Sequence, residues 1–120
     1  MQIEIGTDNH LAHDDQLRTL VVAAVDHGLG RFAPSLTRVI VHVADENGDK
    51  GGDADIRCTI EARPERHRPV AATHAAATVP LALAGAVRKL ARTLGRARDR
   101  STEHKRRAPL DQVTRDPLAG

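Results

Sequence analysis

Residues 38–63 read RVIVHVADENGDKGGDADIRCTIEAR, two alternating runs around a turn rich in Gly and Asp. In the first run Val39, Val41 and Val43 share one side, and in the second Ile56, Cys58, Ile60 and Ala62 do the same. A repeat of two is the signature of a strand with one buried face. Arg57, Thr59, Glu61 and Arg63 take the opposite side of the second run, as expected of an antiparallel pair that keeps one face in water. The connecting turn is long and predicted to be exposed. His42, between Val41 and Val43, falls on the open face, where a solvated side chain is the default reading.

Working outward, Ile3 and Ile5 alternate with Gln2 and Glu4 as a short strand. Asp14 is a good cap for a helix carrying Leu17, Leu20, Val21 and Ala24 on its apolar side, with Gly28, Gly30 and Pro34 predicted to end it. On the other flank, Pro69 to His74 supplies a fourth, weaker strand. Thr78 caps a second helix, in whose first turn Pro80 is tolerated. The elements predict a single α+β layer pair.

The second helix separates packing from charge. At about 100° per residue, Val79, Leu83, Ala86, Val87, Leu90, Leu94 and Ala97 fall within one arc. Arg88, Lys89, Arg92, Arg96 and Arg100 fall on the opposite arc, with no acidic residue among them. Guanidinium groups in such a row suit bidentate contacts to phosphate. A solvated helix face is the plain alternative, but Asp99 lies off the row, so helical salt bridging explains it poorly. Arg98 sits at the edge of the apolar arc and is expected to snorkel.

Charge along the chain points the same way. Residues 1–62 carry a net −6 and residues 63–120 a net +8, which the overall +2 conceals. Such asymmetry suggests one side that faces a polyanion. Phe32 is the only aromatic residue, so the core must be aliphatic, and base stacking on aromatic platforms is nearly excluded. A lone cysteine, Cys58, cannot form an internal disulfide. The N-terminal MQIEIG has no signal-peptide pattern, and no run approaches the ~18 apolar residues of a membrane span. A soluble, reduced, cytoplasmic protein without a membrane partner is expected.

Several particulars of the 38–63 stretch resemble a bacterial family, the hibernation-promoting factors and ribosome-associated translation inhibitors. The family has a strand ending in Asp-Glu-Asn-Gly, here Asp45, Glu46, Asn47 and Gly48. A Lys-Gly-Gly turn follows, here Lys50, Gly51 and Gly52, and then Arg57, Cys58, Ile60, Glu61, Ala62 and Arg63. The likeness continues through Pro69, Val70, His74 and Ala76 into Gly85, Ala86, Lys89, Leu90, Arg92 and Leu94, covering about the first hundred residues. It implies a βαβββα domain with two helices packed on one face of a four-stranded sheet. It also implies binding to the small ribosomal subunit between head and body, in the channel used by mRNA and tRNA, and silencing of idle ribosomes by steric occlusion. Contacts to rRNA are carried over to Arg88, Lys89, Arg92, Arg96 and Arg100. No catalysis, cofactor, metal or small-molecule substrate is implied.

Two departures stand beside this likeness. Family members usually carry several Lys or Arg late in the first helix, whereas this chain has VVAAVDHGLGR over residues 21–31, with Arg18 and Arg31 flanking Asp26 and His27. The long forms carry a C-terminal dimerisation domain, and the residues after Arg107 are too few for one. The expected organisation is a ribosome-binding domain over residues 1–102 and a disordered tail over 103–120. A general module for structured RNA is the alternative reading.

Other constellations are weaker. His10 and His13 precede Asp14 and Asp15, but a His-x-x-His without a third fixed ligand is nonspecific for metal. Cys58 and His74 on adjacent strands are a conceivable nucleophile and base for a small thiol enzyme. Cys58 shares its face with Ile56 and Ile60, however, and reads better as a buried structural thiol. GDKGGD lacks a P-loop ending and precedes a strand, which disfavours nucleotide binding. Lys50 at its tip has acidic neighbours. Arg63, Arg66, His67 and Arg68 either extend the basic surface or form an ordinary polar loop.

Overall fold

The structure, a computed structural model, describes residues 1–8, 11–46 and 55–115, with residues 100–115 as backbone only. Its elements are β1 (Gln2–Thr7), α1 (Asp15–Leu29), a 3₁₀ segment (Gly30–Ser35), β2 (Leu36–Asp45), β3 (Ile56–Pro64), β4 (Val70–Ala76) and α2 (Val79–Arg115). This is the expected βαβββα order. The sheet runs β1-β2-β3-β4 in space. β1 is parallel to β2, and the two later pairs are antiparallel.

Strand register explains which side is buried. Val39, Val41 and Val43 face Ala62, Ile60 and Cys58 across β2 and β3. Ile3 and Ile5 of β1 stand beside Val39 and Val41. Both helices cover this face. α1 contributes Leu17, Val21, Val25 and Leu29, and α2 contributes Leu83, Ala86, Val87, Leu90 and Leu94, all buried. A buried aliphatic side chain contributes roughly 1.5–3 kcal/mol relative to an exposed one. The aliphatic core predicted from composition is therefore the main source of stability. Phe32, 3% exposed, joins the same core from within the 3₁₀ segment.

Each helix starts where a side-chain oxygen takes an otherwise unpaired amide. Asp14 accepts from the Leu17 amide at 2.9 Å, and Thr78 Oγ1 accepts from the Leu81 amide at 3.3 Å. Pro80 lies in the first turn of α2, where its missing N–H costs nothing.

Gly28 departs from the sequence reading, since it lies inside α1 and does not end it. A Cβ there would run into Cγ1 of Val87, so this glycine lets α1 and α2 approach closely. Termination comes later, when the chain tightens into the 3₁₀ segment, which includes Pro34. Gly85 plays the matching part between α2 and the sheet, because a Cβ would collide with the imidazole of His74. The fourth strand also runs on to Ala76, beyond the expected His74.

The outer face of the sheet is uncovered, and its charges are paired across it. Arg38 and Glu4 meet at 3.2 Å, Arg57 and Glu46 at 3.0 Å, and Arg63 and Glu61 at 3.8 Å. Half-exposed pairs of this kind contribute about 0–1 kcal/mol each. The hydroxyls of Thr59 and Thr73 lie 3.3 Å apart on the same face, and the exposed His42 stands beside Gly6. At the base of the hairpin, the Glu46 amide donates to the Asp55 carbonyl at 2.9 Å. The turn beyond it, including Lys50, lies outside the described residues. The expected boundary at residue 102 falls within α2, whose backbone continues to Arg115.

Candidate nucleic-acid interface

α2 lies across the sheet with its apolar arc inward. Arg88, Lys89, Arg92 and Arg96 are consequently exposed. Successive members of the row Arg88, Arg92 and Arg96 are one helical turn apart, roughly 6 Å along the axis. None of the three forms an ion pair among the described residues. Their guanidinium donors are free to take phosphate oxygens two at a time.

Lys89 differs from its neighbours. Its Nζ donates to the Thr73 carbonyl at 3.1 Å, which ties α2 to β4, the last strand of the sheet. Such an edge otherwise presents unpaired backbone groups that another chain can capture. Lys89 therefore both adds positive charge and blunts the edge. The side chain of Arg100 lies outside the described residues.

On the other flank of α2, two further cations converge on the aromatic ring. The guanidinium carbon of Arg31 is 4.6 Å from the Phe32 centroid and that of Arg98 is 5.2 Å away. Arg98 thus behaves as the snorkelling residue expected at the border of the apolar arc. Nothing in the linear sequence paired it with Arg31, because the meeting depends on how α1 turns into the 3₁₀ segment beneath α2.

The weaker candidates resolve individually. Cys58 and His74 are direct register partners, as their strands suggested. The thiol is fully buried, however, and burial pushes its pKa up to about 11 from an ordinary 9.0. That environment disfavours the thiolate a nucleophile requires. Asp14 is used as a helix cap, while His10 lies outside the described residues. No group of three metal-ligating side chains occurs among the described residues. Arg63 is held near Glu61. Arg66, His67 and Arg68 are exposed in the β3–β4 turn, where Arg66 adopts left-handed backbone with φ 64°. An open hollow of about 360 Å³ lies between the starts of the helices, lined by Leu11, Leu17, Leu20, Val79 and Pro80 with Asp14 and Gln16. It holds no nucleophile. No helix among the described residues is long and apolar enough to cross a membrane.

The arrangement defines an α+β domain with a charge-balanced open sheet and a cationic helix on the opposite side. No protein-family model and no curated protein sequence matches the chain. Its fold is shared by solved structures. One is the N-terminal domain of Protein Y from Thermus thermophilus, with a TM-score of 0.64 and 19% identity over 80% of this chain and 98% of that one. Another is a ribosomal subunit interface protein from Coxiella burnetii, with a TM-score of 0.69 and 10% identity over 82% of this chain and 99% of that one. Both carry the fold that the family resemblance implied.

Proposed function

We propose that this chain acts as a ribosome hibernation factor, which binds the small ribosomal subunit through rRNA and silences idle ribosomes. Arg88, Lys89, Arg92 and Arg96 provide the phosphate contacts, with Arg100 continuing the row. Occupation of the channel for mRNA and tRNA blocks translation sterically. The protein acts in the cytoplasm without catalysis.

The observation that carries this reading is the row Arg88, Arg92 and Arg96. It is exposed and lacks carboxylate partners among the described residues, on a fold shared with a ribosomal subunit interface protein. Phosphate contacts supply affinity, and the shape of the domain supplies placement, as suits recognition of folded RNA. Paired charges on the open sheet face offer phosphate much less.

The reading is tested by sedimenting the protein through sucrose gradients with small subunits, with intact ribosomes and with an unrelated structured RNA, alongside translation assays. Saturable migration with ribosomal particles, reversed by excess mRNA and tRNA, is the expected result. Equal migration with any structured RNA would favour a general RNA-binding module. Binding that leaves translation unaffected would remove the occlusion mechanism.

A further inference from the structure

The turn between β3 and β4 sets Arg66, His67 and Arg68 at one end of the sheet. All three are exposed, and none forms an ion pair or side-chain hydrogen bond among the described residues. The base of the turn is fixed, because the Glu65 amide donates to the Ser35 carbonyl at 2.8 Å and Thr37 Oγ1 donates to the Arg63 carbonyl at 2.8 Å. Arg66 has a φ of 64° and is the only residue other than glycine at positive φ among the described residues. Glycine or asparagine adopts this backbone more easily. The fold therefore accepts a local cost while holding a cation at the tip of the turn, and such costs concentrate where a side chain serves a ligand.

Strand directions determine which other charges share that end. Leu36 at the start of β2 pairs with Pro64 at the close of β3, and Val70 at the start of β4 pairs with Ala62. α2 then returns over β4. Gly85 sits on His74, and Val70 lies about 13 Å back along the strand, a distance that α2 covers in about nine residues. Arg92 and Arg96 thus stand near the level at which the turn begins. The far end of the sheet is acidic, with Asp14 and Asp15 at the start of α1, Asp45 and Glu46 at the close of β2, and Asp55 before β3. Arg57 at that end is held by Glu46. A polyanion is repelled from one end and drawn to the other.

We propose that the β3–β4 turn is a second RNA-contacting element, in which Arg66 and Arg68 each take a backbone phosphate. The protein thereby meets RNA with this end of the sheet foremost and its acidic end turned away. Each arginine acts on its own phosphate, so no shared anion is needed. Glu65 beside Arg66 opposes the attraction, which supplies a test of opposite sign. The ribosomal identity of the RNA rests on the proposed function, whereas the affinity of the turn for phosphate does not.

The first arm needs no RNA. Sodium tripolyphosphate is titrated into the full chain while the arginine Nε–Hε signals are followed by NMR. Arg66 and Arg68 should saturate at roughly threefold lower concentration, or less, than Arg18, an exposed arginine in the first turn of α1 with no ion pair among the described residues. Curves no tighter than that of Arg18 would overturn the proposal. Arg66→Asn removes the charge with a residue suited to left-handed backbone, so its unfolding midpoint should hold or rise while RNA binding weakens. A midpoint well below that of the parent would show that Arg66 supports the fold, overturning its assignment to a ligand.

In the second arm, affinity is measured across a salt series for small subunits and for a short RNA duplex. Arg66→Gln/Arg68→Gln should lower the slope of log affinity against log salt by about one to two units. Glu65→Gln should tighten binding roughly two- to fivefold, and Arg18→Gln should change neither quantity. An unchanged slope in the double variant with both RNAs would overturn the RNA assignment and leave a site for small phosphate compounds. A loss in Arg18→Gln as large as that of one turn arginine would overturn the orientation. If the parent ignores small subunits while the duplex shows the loss of slope, the turn stands as an RNA contact and the ribosome reading fails.

Discussion

The open face of the sheet and the exposed side of α2 both carry arginine, yet they hold its charge differently. On the sheet, Arg38, Arg57 and Arg63 each lie within 4 Å of a glutamate carboxylate. On α2, Arg88, Arg92 and Arg96 have no such partner among the described residues. The first arrangement is nearly self-neutral, while the second leaves its potential directed at solvent. A polyanion distinguishes between them even though each offers guanidinium groups. The lesson is that a count of basic residues says little about an RNA face until their partners are known. Surface pairs contribute little to folding, but they matter for recognition because they withdraw cations from competition for phosphate.

Charge reversal on the helix should break this comparison most strongly. Arg92→Glu is expected to weaken small-subunit binding roughly 10- to 100-fold, with the unfolding midpoint almost unmoved, because the residue lies outside the core. A loss of less than about threefold in a binding titration would place the RNA face elsewhere.

Next in size is the seating of α2 itself. Gly85→Ala forces a methyl group into the His74 ring and should destabilise the fold by about 1–3 kcal/mol, read from urea unfolding. Gly30→Ala is the control, since its added Cβ meets nothing within 4 Å and its φ of −56° suits any residue. That variant should be neutral or more stable by up to about 1 kcal/mol. Equal effects would show that helix placement does not depend on the glycine contact.

A smaller effect concerns Cys58. Burial raises its pKa from 9.0 to about 11, so below pH 9 the thiol is protonated in both folded and unfolded chains. Between pH 9 and 11 the unfolded chain releases its proton first, and stability falls as pH rises. Relative to the parent, Cys58→Val should show a shallower decline across that window. Thiol labelling at pH 8 should be slow until denaturant is added. Rapid labelling of the native protein would mean that the inner face of the sheet is open.

The smallest effect is expected from the paired face. Glu4→Gln releases Arg38 and should alter stability by no more than about 1 kcal/mol. Small-subunit affinity should remain unchanged in an equilibrium titration. A marked increase would show that a newly unpaired sheet arginine can also engage RNA.

Much of this comparison was legible in the sequence because alternation and helical spacing are local properties. Val39, Val41 and Val43 revealed the inner side of β2, and Leu83, Leu90 and Leu94 placed Arg88, Arg92 and Arg96 on the exposed side of α2. Gly28 misled for an equally local reason. Glycine commonly ends helices, but here the absence of a side chain serves Val87 on another helix, a contact separated by many residues. Lys89 looked like one more member of the cationic row, and only the docking of α2 against β4 revealed its bond to the Thr73 carbonyl. The pairing of Arg31 with Arg98 was hidden for the same reason.

The most direct test compares two variants with the same loss of charge. Arg88→Gln/Arg92→Gln/Arg96→Gln removes three cations from the helix, and Arg38→Gln/Arg57→Gln/Arg63→Gln removes three from the sheet. Their affinities for small ribosomal subunits should be measured across a salt series. The account predicts that the helix variant loses about two to three units of salt slope, while the sheet variant binds like the parent. Equal losses would show that net charge alone governs binding, and a larger loss in the sheet variant would contradict the assignment of α2 as the RNA face.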